Sequence, residues 1–113
     1  MNYFKFLFVC SANKQRSKTA EDYFSEKYPQ FIFLSAGTNF KICNKEGTNS
    51  INEEILNWAD IIFVMEKKHQ EIVNQFISNK IKKIIVILNI KDVYKYYQKE
   101  LIEILEKKTE HYF

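Results

Sequence analysis

Four short apolar runs, each followed by a stretch with apolar residues at helical spacing, constrain this chain more than any other feature. Tyr3 to Val9 is almost continuously apolar, the pattern of a central strand covered on both faces. Ser17 to Tyr28 then places Ala20, Tyr23, Phe24 and Tyr28 on one helical face, and Pro29 closes it. Phe31 to Leu34 reads as a second strand, Ile61 to Met65 as a third and Ile84 to Leu88 as a fourth. Helices are expected over Ser50 to Trp58, with Ser50 as a cap ahead of Glu53, over Lys68 to Ile77, and over Gln98 to Lys108. Alternation of this kind implies right-handed crossovers, hence an α/β fold with a four-stranded parallel sheet and helices on both faces. Ligands of such sheets bind beyond the carboxyl ends of the strands, where the strand order reverses.

At 113 residues with 46% hydrophobic content and ten phenylalanines, residues 1–113 can form one domain with a real core. Two cysteines, Cys10 and Cys43, are too few for a disulfide framework, and no Cys/His spacing suits a metal. The apolar start is too short for a signal peptide or a membrane span, so a cytoplasmic protein with reduced thiols is expected. The net charge of +3 is spread through the chain, with a mild local excess at Lys67, Lys68, Lys80, Lys82 and Lys83. That excess reads as a solvated helix face and its loop. No arginine and few glycines accompany it, so nucleic acid is not an expected partner.

The chemistry concentrates in one loop. Arg16 is the sole arginine beside sixteen lysines, and it stands six residues after Cys10. Lysine is a flexible point charge, whereas guanidinium is a planar fork that grips phosphate through two parallel hydrogen bonds. Cys10 falls at the carboxyl end of the first strand, and Arg16 and Ser17 open the first helix. Backbone amides of Ser11, Ala12, Asn13, Lys14, Gln15 and Arg16 could curl around a tetrahedral oxyanion at that helix start. The same field favours a thiolate at Cys10, which would attack phosphorus to give a cysteinyl-phosphate. Arg16 would stabilise the equatorial oxygens, and the Ser17 hydroxyl could donate to the thiolate. The loop has no glycine, and Asn13 is the residue best suited to a left-handed backbone there.

Cys10-Ser-Ala-Asn-Lys-Gln-Arg-Ser17 resembles the C-x5-R-S loop of the low-molecular-weight protein tyrosine phosphatases. Thr19-Ala-Glu21, Ser35-Ala-Gly-Thr38 and Trp58-Ala-Asp-Ile-Ile-Phe-Val-Met-Glu66 resemble further motifs of that family, in order along nearly the whole chain, and closest to a short predicted-phosphatase subgroup. The resemblance implies strand order 2-1-3-4, Cys10 as nucleophile, Arg16 as phosphate ligand, Asn13 as loop-shaping residue and Ser17 as thiolate partner. It implies no metal and no cofactor. The family's general acid is an aspartate in a D-P-Y-like loop after the fourth strand. Asp92-Val-Tyr94 stands there without the proline, which makes Asp92 the candidate acid and Tyr94 the candidate wall of a phenyl slot.

The chain departs from the family pattern in places. Ala12 replaces a frequent glycine. Gln15 replaces the second loop cysteine of many members, so disulfide protection of the nucleophile should be missing. Segments 38–49 and 89–98 look trimmed or altered, which bears on the substrate more than on the chemistry. The expected activity is phosphomonoester hydrolysis, with a phosphotyrosine-containing protein or a small aryl phosphate as partner and no membrane. The alternative is a phosphate- or phosphopeptide-binding module that turns over weakly or not at all. A Cys-dependent phosphocarrier has no need of Arg16, and arsenate reduction needs more redox cysteines than Cys43 supplies. His69 and His111 read as solvated or cap histidines. Glu66 reads as a helix-start acid that could border the site.

Overall fold

The computed structural model describes residues 4–77 and 83–113; Tyr3 of the expected first strand, and Lys80 and Lys82 of the lysine excess, lie outside them. Along the chain run β1 (Lys5–Cys10), α1 (Arg16–Lys27), β2 (Ile32–Gly37), α2 (Phe40–Glu46), α3 (Glu53–Trp58), β3 (Ile61–Val64), α4 (Lys67–Phe76), β4 (Ile84–Ile87) and α5 (Lys99–Thr109). The strands form one sheet in the order β2-β1-β3-β4, and every pairing is parallel. The expected fold class and strand order are both observed. No helix among the described residues is long and apolar enough to cross a membrane.

The period-2 alternation of β1 splits its side chains between two cores. Phe6, Phe8 and Cys10 face the side of α1 and α5, where they join Phe24, Phe33, Phe63, Leu101 and Leu105. Leu7 and Val9 face the other side, with Ile62, Val64, Leu56 and Val73. The phenylalanine-rich composition is spent on the first core. Phe8 stacks on Phe63 at 5.0 Å and on Phe24 at 5.6 Å, and Phe113 meets Phe6 edge-on at 4.8 Å. Each such buried ring contributes roughly 1.5–3 kcal/mol through lost apolar exposure. Rigid rings beneath β1 give its carboxyl end a fixed platform.

Four readings need correction. The second strand runs on through Ser35, Ala36 and Gly37, because the pairing with β1 continues to Cys10 opposite Gly37. Helix α2 lies where an altered loop was expected. Asn39 caps it by accepting from the Ile42 amide at 3.1 Å, and Gly47, at φ 71°, ends it in the left-handed region. Ser50 does not cap α3: it bridges to Gly37, and Asn52 is the cap, accepting from the Ile55 amide at 2.8 Å. Lys83 is not a solvated lysine either. Its Nζ donates to the carbonyls of Asn57 and Ala59, both at 2.6 Å, at the end of α3.

β1 has β2 on one side and β3 on the other, so the strand order reverses at its carboxyl end. The loop carrying Ser11 to Gln15 leaves the sheet there. Gly37 is part of the same construction. A Cβ at that position would lie 2.5 Å from the Ser11 carbonyl oxygen and 2.6 Å from Cys43 Sγ, so a side chain there would displace the loop.

Candidate active site

Asn13 shapes the loop. Its φ is 55°, a left-handed conformation in which asparagine is tolerated far better than most residues. Its side chain is buried and doubly engaged: Nδ2 donates to Ser17 Oγ at 2.9 Å, and Oδ1 accepts from the Asn49 amide at 3.1 Å. The Ala12 carbonyl accepts from Thr48 Oγ1 at 2.6 Å, and the Ser11 carbonyl accepts from the Asn39 amide at 2.9 Å. Buried Cys43 fills the space beneath, with Sγ 3.6 Å from the carbonyl oxygens of Ala12 and Asn49. Carbonyls are thus drawn outward to the flanks of α2, which leaves loop amides free to face inward.

Cys10 Sγ and Ser17 Oγ lie 2.9 Å apart. Ser17 already accepts from the Asn13 amide, so its own hydrogen is available to the sulfur. An Asn–Ser–Cys chain of this polarity suits a thiolate acceptor. At the far end of the loop Arg16 is only 1% exposed. Its Nη1 donates to Glu66 Oε2 and to the Ile90 carbonyl, both at 2.7 Å. Its Nε lies 3.7 Å from Asp92 Oδ1. The Arg16 hydrogen bond holds the Glu66 carboxyl below the usual range, with burial opposing.

Between these groups opens a cavity of about 230 Å³. Cys10, Ala12, Gln15 and Arg16 form its floor and sides, and Lys14, Ile42, Glu46 and Asp92 its rim. Lys14 reaches Glu46 at 3.4 Å across that rim. Asp92 is 61% exposed at the mouth. A tetrahedral anion in the cavity would have the sulfur on one side, the guanidinium on another and a carboxylate at the opening.

Tyr94 is half-buried against the α1/α5 core and is not among the residues lining the cavity. Tyr96 bonds to Asp22, and the Tyr97 amide donates to Thr19 Oγ1 at 2.8 Å. Ile42, from the helix absent from the sequence reading, supplies the apolar rim. Two further residues join the site. Glu66, read as a helix-start acid that could border the site, is both: it caps α4 and grips Arg16. His69, read as solvated or a cap, does receive the Glu66 amide at 3.1 Å as a cap residue would, but it is fully buried, and its Nε2 lies 2.9 Å from Ser11 Oγ. Burial lowers its pKa to about 4, helped by the Arg16 charge. The available signal was position: both follow β3, whose carboxyl end adjoins that of β1.

No protein-family model and no curated protein matches the sequence. Solved structures do. Wzb of Vibrio vulnificus, in complex with benzylphosphonate, is 20% identical with a TM-score of 0.75, covering 98% of this chain and 97% of that one. The tyrosine phosphatase amsI of Erwinia amylovora is 22% identical with a TM-score of 0.73, covering 96% and 90%. The low molecular weight protein tyrosine phosphatase of T. tengcongensis is 23% identical with a TM-score of 0.75, covering 97% and 99%. The chain has the fold of the low-molecular-weight protein tyrosine phosphatases, over 90–99% of the length of those three structures.

Proposed function

We propose that the protein is a cysteine-dependent phosphomonoesterase acting on phosphotyrosine, in a protein or as a small aryl phosphate. The observation that carries the reading is the shared cavity: Cys10 and Arg16 stand at the two ends of one loop and line the same space, with Asp92 at its mouth. The Cys10 thiolate attacks phosphorus, the bond to the leaving oxygen breaks, and Asp92 gives that oxygen its proton. Asp92, now a carboxylate, takes a proton from water as the water attacks the cysteinyl-phosphate. Inorganic phosphate leaves, and the Cys10 thiolate is restored with Ser17 donating to it. Arg16 and the loop amides hold the equatorial oxygens throughout.

Ile42 at the rim supports an aromatic leaving group. The benzylphosphonate bound to the Vibrio vulnificus protein is an anion of that shape. Free thiols at Cys10 and Cys43 support a reducing, cytoplasmic setting.

The test is hydrolysis of p-nitrophenyl phosphate and of a phosphotyrosine peptide by the purified chain beside Cys10→Ser. Turnover that vanishes with the thiol supports the reading, and equal turnover by both proteins sinks it. A second reading, phosphate binding without turnover, draws on the exposure of Asp92 and the missing proline beside it. Tight phosphate binding with no hydrolysis of any monoester would select it.

A further inference from the structure

His69 sits in the first turn of α4, and both of its ring nitrogens are engaged although the residue is fully buried. The Glu66 amide donates to Nδ1 at 3.1 Å. A backbone amide always carries its hydrogen, so Nδ1 must be bare. The neutral ring therefore holds its proton on Nε2 and donates it to Ser11 Oγ at 2.9 Å. Ser11 follows the nucleophile directly. Glu66, whose amide the ring receives, is the residue whose carboxylate takes Arg16 Nη1 at 2.7 Å.

We infer that His69 is a positioning residue of the phosphate site, tying the Cys10 end of the loop, through Ser11, to the same Glu66 turn that grips Arg16 at the other end. The inference rests on the phosphatase reading for its kinetic consequences, but the tie itself is a matter of ring geometry. The connection closes a circuit: Ser11 to His69, His69 to the Glu66 backbone, the Glu66 carboxylate to Arg16, and Arg16 back along the loop. Asn39, Thr48 and Asn49 hold the loop from the α2 side. His69 holds it from the α4 side. Loop amides and guanidinium must close on one anion together, so a fixed spacing between them favours the transition state over looser ground-state binding. Apolar packing alone would be served by phenylalanine. An imidazole with two placed nitrogens is justified by what those nitrogens connect.

The test uses the whole chain, with p-nitrophenyl phosphate as substrate and inorganic phosphate as ligand. Ser11→Ala and His69→Phe should each lower kcat about 5- to 10-fold, with KM moving by less than about two-fold. The double variant should fall no further than the worse single variant, since one connection is being cut twice. His69→Gln, whose Nε2 can still reach Ser11, should recover part of the loss, and exposed His111→Gln should change nothing. Nitrogen-15 shifts of the wild-type ring should show the Nε2–H tautomer at neutral pH. A ring protonated on Nδ1, additive losses in the double variant, or a KM effect without a kcat effect would each overturn the tie. If the wild type hydrolyses no phosphomonoester, the phosphatase reading fails alone. The ring tautomer, and a shift of the Nε2–H resonance in Ser11→Ala, then decide the tie. No phosphate binding by the wild type would end both.

Discussion

Glu66 Oε2 receives Arg16 Nη1 at 2.7 Å, and the two partners are unequally buried, with Arg16 at 1% exposure and Glu66 at 31%. Glutamate can fall back on water when the bond breaks, and arginine cannot. Removing the carboxylate therefore leaves a buried cation short of a partner, held by the Ile90 carbonyl and by Asp92 at longer range. Glu66→Ala should cost about 1–3 kcal/mol of stability and free the guanidinium to wander, lowering kcat/KM. Urea denaturation beside p-nitrophenyl phosphate kinetics measures both. Phosphate added at saturation should recover part of the lost stability, because the anion supplies the missing charge. The wild-type pair also has a pH sense. The folded Glu66 pKa lies below its unfolded value, so the contribution is complete above that unfolded value and fades as pH falls through the folded one.

Asp92 lies 3.7 Å from Arg16 Nε, so its carboxylate occupies part of the field an incoming phosphate would use. Asp92→Asn should separate the two roles of the residue. Loss of the proton donor should slow kcat by about 10²–10⁴-fold on a phenolic ester. Loss of the neighbouring negative charge should leave inorganic phosphate binding unchanged or tighter. Product-inhibition constants beside kcat test this, and a variant that binds phosphate markedly worse would show Asp92 to be a loop support.

Gly37→Ala probes the floor of the loop. The added methyl would fall 2.5 Å from the Ser11 carbonyl oxygen and 3.0 Å from the Asn13 amide nitrogen, both backbone atoms, and 2.6 Å from Cys43 Sγ. Backbone cannot rotate aside, so the loop itself must lift. A loss of about 1–3 kcal/mol is expected, together with weaker phosphate binding. Thermal melts with and without phosphate should show a smaller ligand-induced shift than in the wild type. A full-sized shift would mean that the loop tolerates the methyl.

The sheet was legible in the sequence because its signals are local. The apolar run of β1, the helical spacing of α1 and the motif at Ser35 each declare themselves within a few residues. Cys10, Asn13, Arg16 and Ser17 were legible for the same reason, since one short loop carries them all. What stayed hidden depends on pairing across the fold. The β1–β3 adjacency was expected and Glu66 was legible as a bordering acid, but strand order alone does not specify side-chain partners such as Glu66 with Arg16 or His69 with Ser11. Helix α2 has seven residues and few apolar positions, so its periodicity is faint, and the Asn39 and Gly47 signals at its ends went unused. Ile42 was hidden with it. Tyr94 looked like a wall residue by its distance from Asp92, but Asp92 turns to the cavity while Tyr94 turns to the core.

His69 should leave its mark on the acid side of the stability profile. Burial, with the positive charge of Arg16, pushes its pKa from 6.5 down to about 4; Lys68 acts in the same direction, and the Glu66 and Asp92 carboxylates oppose. The unfolded chain therefore binds a proton at this ring between about pH 6.5 and 4 that the folded chain does not. Binding by the unfolded state alone means that stability falls as pH falls across this window, by up to about 1.4 kcal/mol per pH unit. Below about pH 4 the folded ring protonates too and this loss stops, though Nδ1 can then no longer accept the Glu66 amide. Urea midpoints at pH 7, 6, 5 and 4.5 should decline in the wild type more steeply than in His69→Gln, which has nothing to titrate at that position. Glu66 contributes equally to both proteins only if its contact with Arg16 survives the substitution, so the comparison is best read above pH 5, where its carboxylate stays ionised in either state. Parallel curves there would mean that the ring titrates normally, and that it is neither as dry nor as firmly engaged as its position between Ser11 and Glu66 requires.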